Sequence, residues 1–152
     1  MLSSLIVLRH AEAGDRATWS HDDYTRPLNR HGLQQALDIG RRLRRTPIEQ
    51  IFTSPYARCH HSVAPLAGVR RLPIVSCPWL SADTSQEDVT TGILTLTGSI
   101  LLCTHRQALL YIANTLCTIH GLPDHLVTDL RDGLPKSAAV LFELESQIAT
   151  RL

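Results

Sequence analysis

Ser4-Leu5-Ile6-Val7-Leu8-Arg9-His10 is the stretch whose reading decides the fold. Leu5 to Leu8 is apolar at every position and leaves no polar face. That suits a strand covered on both sides, as in a parallel sheet flanked by helices. The run ends in a guanidinium and an imidazole rather than in turn residues. Both groups are suited to holding and attacking an anion. Residues 11–28 are polar, with Gly14, Asp22-Asp23 and Pro27, and predict a long loop of the kind that serves function.

Downstream, helical and strand patterns alternate. Asn29 is placed to cap a helix in which Leu33, Ala36, Leu37, Gly40 and Leu43 recur at helical spacing. Arg41, Arg42, Arg44 and Arg45 form its wet face, and Thr46-Pro47 stops it. Gln50 to Thr53 reads as a second strand. Ser54 then reads as N-cap and Pro55 as first helical residue of a helix running through Arg58 to about Ala67. Leu72 to Val75 predicts a third strand, near an edge because of Pro73. Thr84-x-x-Glu87 has the form of a capping box opening a helix. Gly98 turns the chain into Ser99 to His105, a second apolar strand ending in a histidine, and an amphipathic helix follows up to Gly121. After an irregular stretch over 122–137, Ala138 to Leu144 predicts the last strand.

A chain of 152 residues fits one domain, 1–152, with one sizeable core. The predicted fold is a three-layer α/β/α sandwich with a mostly parallel central sheet. A net charge of +1 argues against a nucleic-acid footprint or a polybasic membrane patch, so any anion site must be a local cluster. Cys59, Cys77, Cys103 and Cys117 form no CxxC pair and read as reduced thiols. No apolar run is long enough to span a bilayer, and the first residues lack signal-peptide form, so the expected location is the cytoplasm.

In α/β sheets ligands bind beyond the carboxyl ends of the strands. Three strand exits carry polar groups there: Arg9-His10, Ser54 with Arg58 one turn into its helix, and His105-Arg106. Two guanidinium forks can grip a phosphoryl group, and one imidazole can attack phosphorus while the other donates to its oxygens. No HExxH, acidic DxD loop or P-loop is present, so no metal or cofactor is called for.

At these residues the chain resembles the histidine phosphatase (phosphoglycerate-mutase-like) superfamily. Leu8-Arg9-His10-Ala11-Glu12-Ala13 resembles its RHG-type signature, in the RHAxA form of the small SixA-type phosphohistidine phosphatases. Arg26-Pro27-Leu28-Asn29 with Gly32 is similar to the RPLT…G step, Ser54-Pro55-Tyr56-Ala57-Arg58 to SPxxR, and Thr104-His105 to the second catalytic histidine. Ala11 stands where many members have Gly, and His61 where Gln is common. The resemblance implies that His10 is the nucleophile and passes through a phosphohistidine intermediate. Arg9, Arg58 and His105 would complete the phosphate pocket, with Ser54 a further substrate-binding candidate. The general acid is open between Asp83, the carboxylate nearest the third strand region, and Glu12 in the first loop.

A site poor in acids tilts toward P–N cleavage, because an imidazole leaving group can be protonated beforehand whereas an alkoxide needs a donor. The expected substrate is therefore a phosphohistidine-bearing protein. Alternatives are a small-molecule phosphomonoesterase acting on a sugar or nucleotide phosphate, or a non-catalytic phospho-ligand module. The sequence leaves the oligomeric state open.

Overall fold

In the computed structural model, which describes residues 1–152, the opening run lengthens into β1 (Leu2–Arg9). β2 (Gln50–Thr53), β3 (Ile74–Ser76), β4 (Gly98–Thr104), β5 (Ala139–Glu143) and β6 (Ile148–Arg151) join it in one sheet of order β3-β2-β4-β1-β5-β6. β3, β2, β4 and β1 are mutually parallel. β5 runs antiparallel to β1, and β6 antiparallel to β5. The mostly parallel sheet was legible, but Ala139–Glu143 is not the last strand. β6 closes that edge as four residues with little burial, so no hydrophobic pattern announces it.

The uninterrupted apolar character of β1 has a direct cause. Leu5 and Val7 point into one core with Leu109, Ile112 and Leu116, while Ile6 and Leu8 point into the other with Ile39, Leu43 and Val63. Each fully buried Leu or Ile contributes about 1.5–3 kcal/mol. Helices α3 (Gln86–Leu94) and α4 (Arg106–Thr118) cover the first face, and α1 (Arg30–Leu43) and α2 (Ala57–Arg70) the second. A single turn, α5 (Thr128–Arg131), lies within the stretch read as irregular.

Three local expectations need correction. α2 begins at Ala57 with Tyr56 as its N-cap, not at Pro55, because the Ser54 hydroxyl is engaged by a histidine. The helix continues to Arg70 through Pro65. The cap of α3 is Ser85, whose side chain accepts from Asp88 N, since the Thr84 hydroxyl donates to the Trp79 carbonyl instead. On α1 the inward residues are Ala36, Ile39, Gly40 and Leu43. Leu33 and Leu37 lie on an adjoining stripe, 53% and 44% exposed.

Register brings the strand exits to one level. Arg9 pairs with Thr104 across β1 and β4, and Thr53 with Cys103 across β2 and β4. His10, Ser54 and His105 therefore leave the sheet side by side, although they are far apart in sequence.

Candidate active site

His10 is 7% and His105 5% exposed, with ring centroids 5.2 Å apart at an interplanar angle of 64°. The His10 amide donates to the Thr104 carbonyl at 3.1 Å, which fixes its backbone to the end of β4. Its Nδ1 lies 2.7 Å from the Ala11 carbonyl. A carbonyl only accepts, so the proton of the neutral ring sits on Nδ1 and the lone pair on Nε2. Burial lowers the His10 pKa to about 3, and nearby His105, Arg58 and Arg9 push the same way. The imidazole is thus neutral at physiological pH, with its lone pair on Nε2.

Two guanidiniums flank it. Arg9 Nη1 donates to the Gly133 and Leu134 carbonyls, both at 3.0 Å. Arg58, 5% exposed, donates from Nη1 to the Asp23 carbonyl at 3.1 Å and from Nη2 to Asp23 Oδ2 at 3.2 Å. It also lies over the Tyr56 ring, 4.8 Å from the centroid. In both arginines Nε is buried without a protein partner. An unpaired buried donor costs free energy, and Arg9 and Arg58, whose charges His10 feels, together form a cationic cradle suited to an anion.

His105 is held from behind. Its Nε2 lies 2.8 Å from Ser54 Oγ and 3.6 Å from Cys59 Sγ. Ser54 Oγ accepts from the Tyr56 amide at 3.2 Å and has one proton of its own, which in the Nδ1–H tautomer of His105 goes to Nε2. Nδ1–H of His105 is then free to donate to a phosphoryl oxygen. Ser54 is fully buried, so it does not reach substrate as expected; it orients His105. Cys59 is also fully buried. Burial pushes its thiol up, but hydrogen bonding to Cys103 and the neighbouring His105 and Arg58 bring it below the ordinary value.

The loop over 11–28 is pinned at its roots and middle. Ala13 bridges Leu28, the Gly14 amide donates to the Pro27 carbonyl at 2.9 Å, and the Ala11 amide to Ser62 Oγ at 2.8 Å. Gly32 presses against the Glu12 backbone; a Cβ there would sit 1.9 Å from that carbonyl oxygen. A 3₁₀ turn at Asp23–Thr25 brings Asp23 onto Arg58 and also onto Arg26, 2.9 Å away. Burial alone would raise the Asp23 pKa, yet Arg26 and Arg58 hold it below the usual carboxylate range. Sequence reading missed Asp23. The only local signal was its i,i+3 spacing to Arg26.

The two acid candidates lie outside this cluster. Glu12 accepts from Asn29 Nδ2 at 2.8 Å and pairs with His31 at 2.7 Å, partners that lower its pKa. Asp83 is exposed and accepts from the Ser81 hydroxyl at 2.8 Å, with Tyr56 near enough to feel its charge.

Comparison with known proteins bears on the fold and the family. A candidate SixA phosphohistidine phosphatase from Agrobacterium tumefaciens superposes with a TM-score of 0.76 at 24% identity, over 94% of this chain and 92% of the other. The protein histidine phosphatase SixA solved with tungstate gives 0.69 at 19% identity, over 98% and 94%. These likenesses establish the fold. An 8-oxo-(d)GTP phosphatase from Mycolicibacterium smegmatis is 33% identical over 64 residues, 42% of this chain but only 20% of that longer protein. The model of the Histidine phosphatase superfamily (branch 1) matches residues 5–81, just over half of the 152. That match spans His10 and the Ser54–Arg58 segment, and the chain belongs to this superfamily.

Proposed function

We propose that the protein is a protein phosphohistidine phosphatase with His10 as nucleophile. One observation carries the reading. The carboxylate that touches the cluster, Asp23, is held ionised between Arg26 and Arg58, the reverse of what a general acid needs. Asp83 is exposed at the rim and Glu12 is tied to His31. A site with imidazoles and guanidiniums but no poised carboxylic acid suits a leaving group that brings its own proton.

The chemistry balances in two steps. His10 Nε2 attacks phosphorus, the P–N bond to the substrate's protonated imidazole breaks, and neutral imidazole leaves. The positive charges of Arg9 and Arg58, with His105 Nδ1–H, stabilise the charge spread over the equatorial oxygens. Water then attacks the phosphohistidine of the enzyme, releasing phosphate and restoring His10. Likeness to the SixA structures supports this substrate class. Incubation with a ³²P-phosphohistidine protein, quenched in alkali, is expected to show label on His10. Efficient hydrolysis of phosphate esters with no action on phosphohistidine would overturn the reading.

A small-molecule reading has its own support in the 8-oxo-(d)GTP phosphatase likeness and in a cleft of about 390 Å³ lined by Arg9, Arg106 and Arg151 along with Asp132 and Asp129, the latter paired with Arg151. That cleft adjoins Arg9 and could take a second phosphate. Under this alternative, Arg106→Ala raises KM for a nucleotide while leaving phosphohistidine hydrolysis unchanged.

A further inference from the structure

The stripe of α1 that the fold leaves outside has a composition unlike a solvated helix face. Leu33 and Leu37 are exposed and, with Ala36, face His61, Ala64 and Pro65 of α2 across a groove of about 390 Å³. Along the same stripe, at spacings of three or four residues, stand Arg30 before Leu33 and Arg41 and Arg44 after Leu37. These arginines are exposed and make no ion pair or side-chain hydrogen bond. The one carboxylate on α1 or α2, Asp38, is engaged by Arg42. In a chain with 15 cationic and 14 acidic side chains, this is a pronounced local excess of positive charge.

The groove also adjoins the site. His61 lies three residues beyond Arg58 on α2, about one helical turn of 5.4 Å. Next to it Ser62 accepts from the amide of Ala11, the neighbour of His10. The groove therefore starts beside the phosphate cradle and runs away from it, with guanidiniums at both ends of its apolar middle.

Building on the phosphohistidine reading, we propose that this groove docks an acidic amphipathic helix of the phosphohistidine-bearing protein substrate. Apolar residues of that helix cover Leu33 and Leu37, and its carboxylates meet Arg30, Arg41 and Arg44. A helix of about three turns, roughly 16 Å long, spans Leu33 to Arg44. A second copy of this chain is disfavoured, because a self-complementary contact would set arginine against arginine. A membrane surface is disfavoured because the apolar residues line a concavity.

The test uses two substrates, a chemically phosphorylated histidine phosphotransfer domain with an acidic helical surface and free phosphohistidine. For the wild type, kcat/KM on the domain should exceed that on the amino acid and fall as salt rises from 0.05 to 0.5 M, about the range over which exposed charges are screened. Leu33→Asp with Leu37→Asp, and separately Arg41→Glu with Arg44→Glu, should each raise KM on the domain at least about tenfold. Both should leave hydrolysis of free phosphohistidine within about twofold, which also shows that the variants fold. Unchanged hydrolysis of the domain by both variants would overturn docking here. So would a wild-type dimer in light scattering, or wild-type binding to phosphatidylserine vesicles, that either variant abolishes. If the wild type cleaves phosphate esters but neither phosphohistidine substrate, the parent reading fails and the docking proposal with it. Activity on free phosphohistidine with wild-type-like variants refutes the docking proposal alone.

Discussion

Replacing His10 by Gln should make the protein less sensitive to acid, because the burial that keeps this imidazole neutral also costs stability. In the folded chain the His10 pKa is lowered to about 3, against 6.5 for an ordinary histidine. Between those values the unfolded chain binds a proton that the folded chain refuses. Stability is full above 6.5 and falls as pH drops toward 3. At pH 5 the gap to 6.5 is about 1.5 pH units, each worth about 1.36 kcal/mol, so this one group removes about 2 kcal/mol. Gln has no such titration and keeps an N–H for the Ala11 carbonyl. Urea unfolding of both proteins at pH 8 and pH 5 isolates the effect, since the other histidines cancel in the difference. The wild type should lose about 2 kcal/mol more than His10→Gln, a midpoint difference of about 1 M for a typical urea dependence. Equal losses within about 0.5 kcal/mol would mean that His10 is not held neutral by burial, and the case for a ready Nε2 would fall with it.

Arg58→Lys should lower kcat/KM by about 10²–10³, because an ammonium cannot reproduce the planar fork that holds Asp23 and faces the anion at once; steady-state kinetics on phosphohistidine check this. Asp23→Ala should lower kcat/KM by about tenfold by freeing the Arg58 fork, and a wild-type rate would show that the clamp is idle. Gly32→Ala should destabilise by at least about 1–3 kcal/mol, since its Cβ meets the Glu12 carbonyl at 1.9 Å; denaturant unfolding reads the loss. In native protein a thiol reagent should modify Cys117 and leave the buried Cys59, Cys77 and Cys103 untouched, with all four reacting after unfolding.

What was legible in the sequence was what local pattern encodes. A short apolar run with no polar face, bearing β-branched residues and flanked by polar groups, reads as a covered strand, so β1 and β4 were readable, and with them the level at which His10 and His105 leave the sheet. Spacing put Arg58 one turn into its helix, whereas α2 opens at Ala57 and Arg58 is its second residue. Other features depend on contacts between distant residues. β6 is held by pairing with β5, not by its own pattern. Asp23 reaches Arg58 across 35 residues of sequence. Ser54 looked like a cap because the choice between the helix and His105 is made in three dimensions. On α1 two adjoining apolar stripes both satisfied helical spacing, and only α2 decides which one faces inward.

The grip of Asp23 on Arg58 ties the cover of the site to its chemistry. The guanidinium proposed to receive the phosphoryl group is also the anchor for the turn at Asp23–Thr25, through both a backbone carbonyl and a side-chain carboxylate. By thermodynamic reciprocity, an oxyanion that settles Arg58 must change the free energy of opening that turn, and anything that lifts the turn must change the affinity for the oxyanion by the same factor. Amide exchange over residues 15–25 therefore reports, from outside the pocket, on whether the pocket is filled.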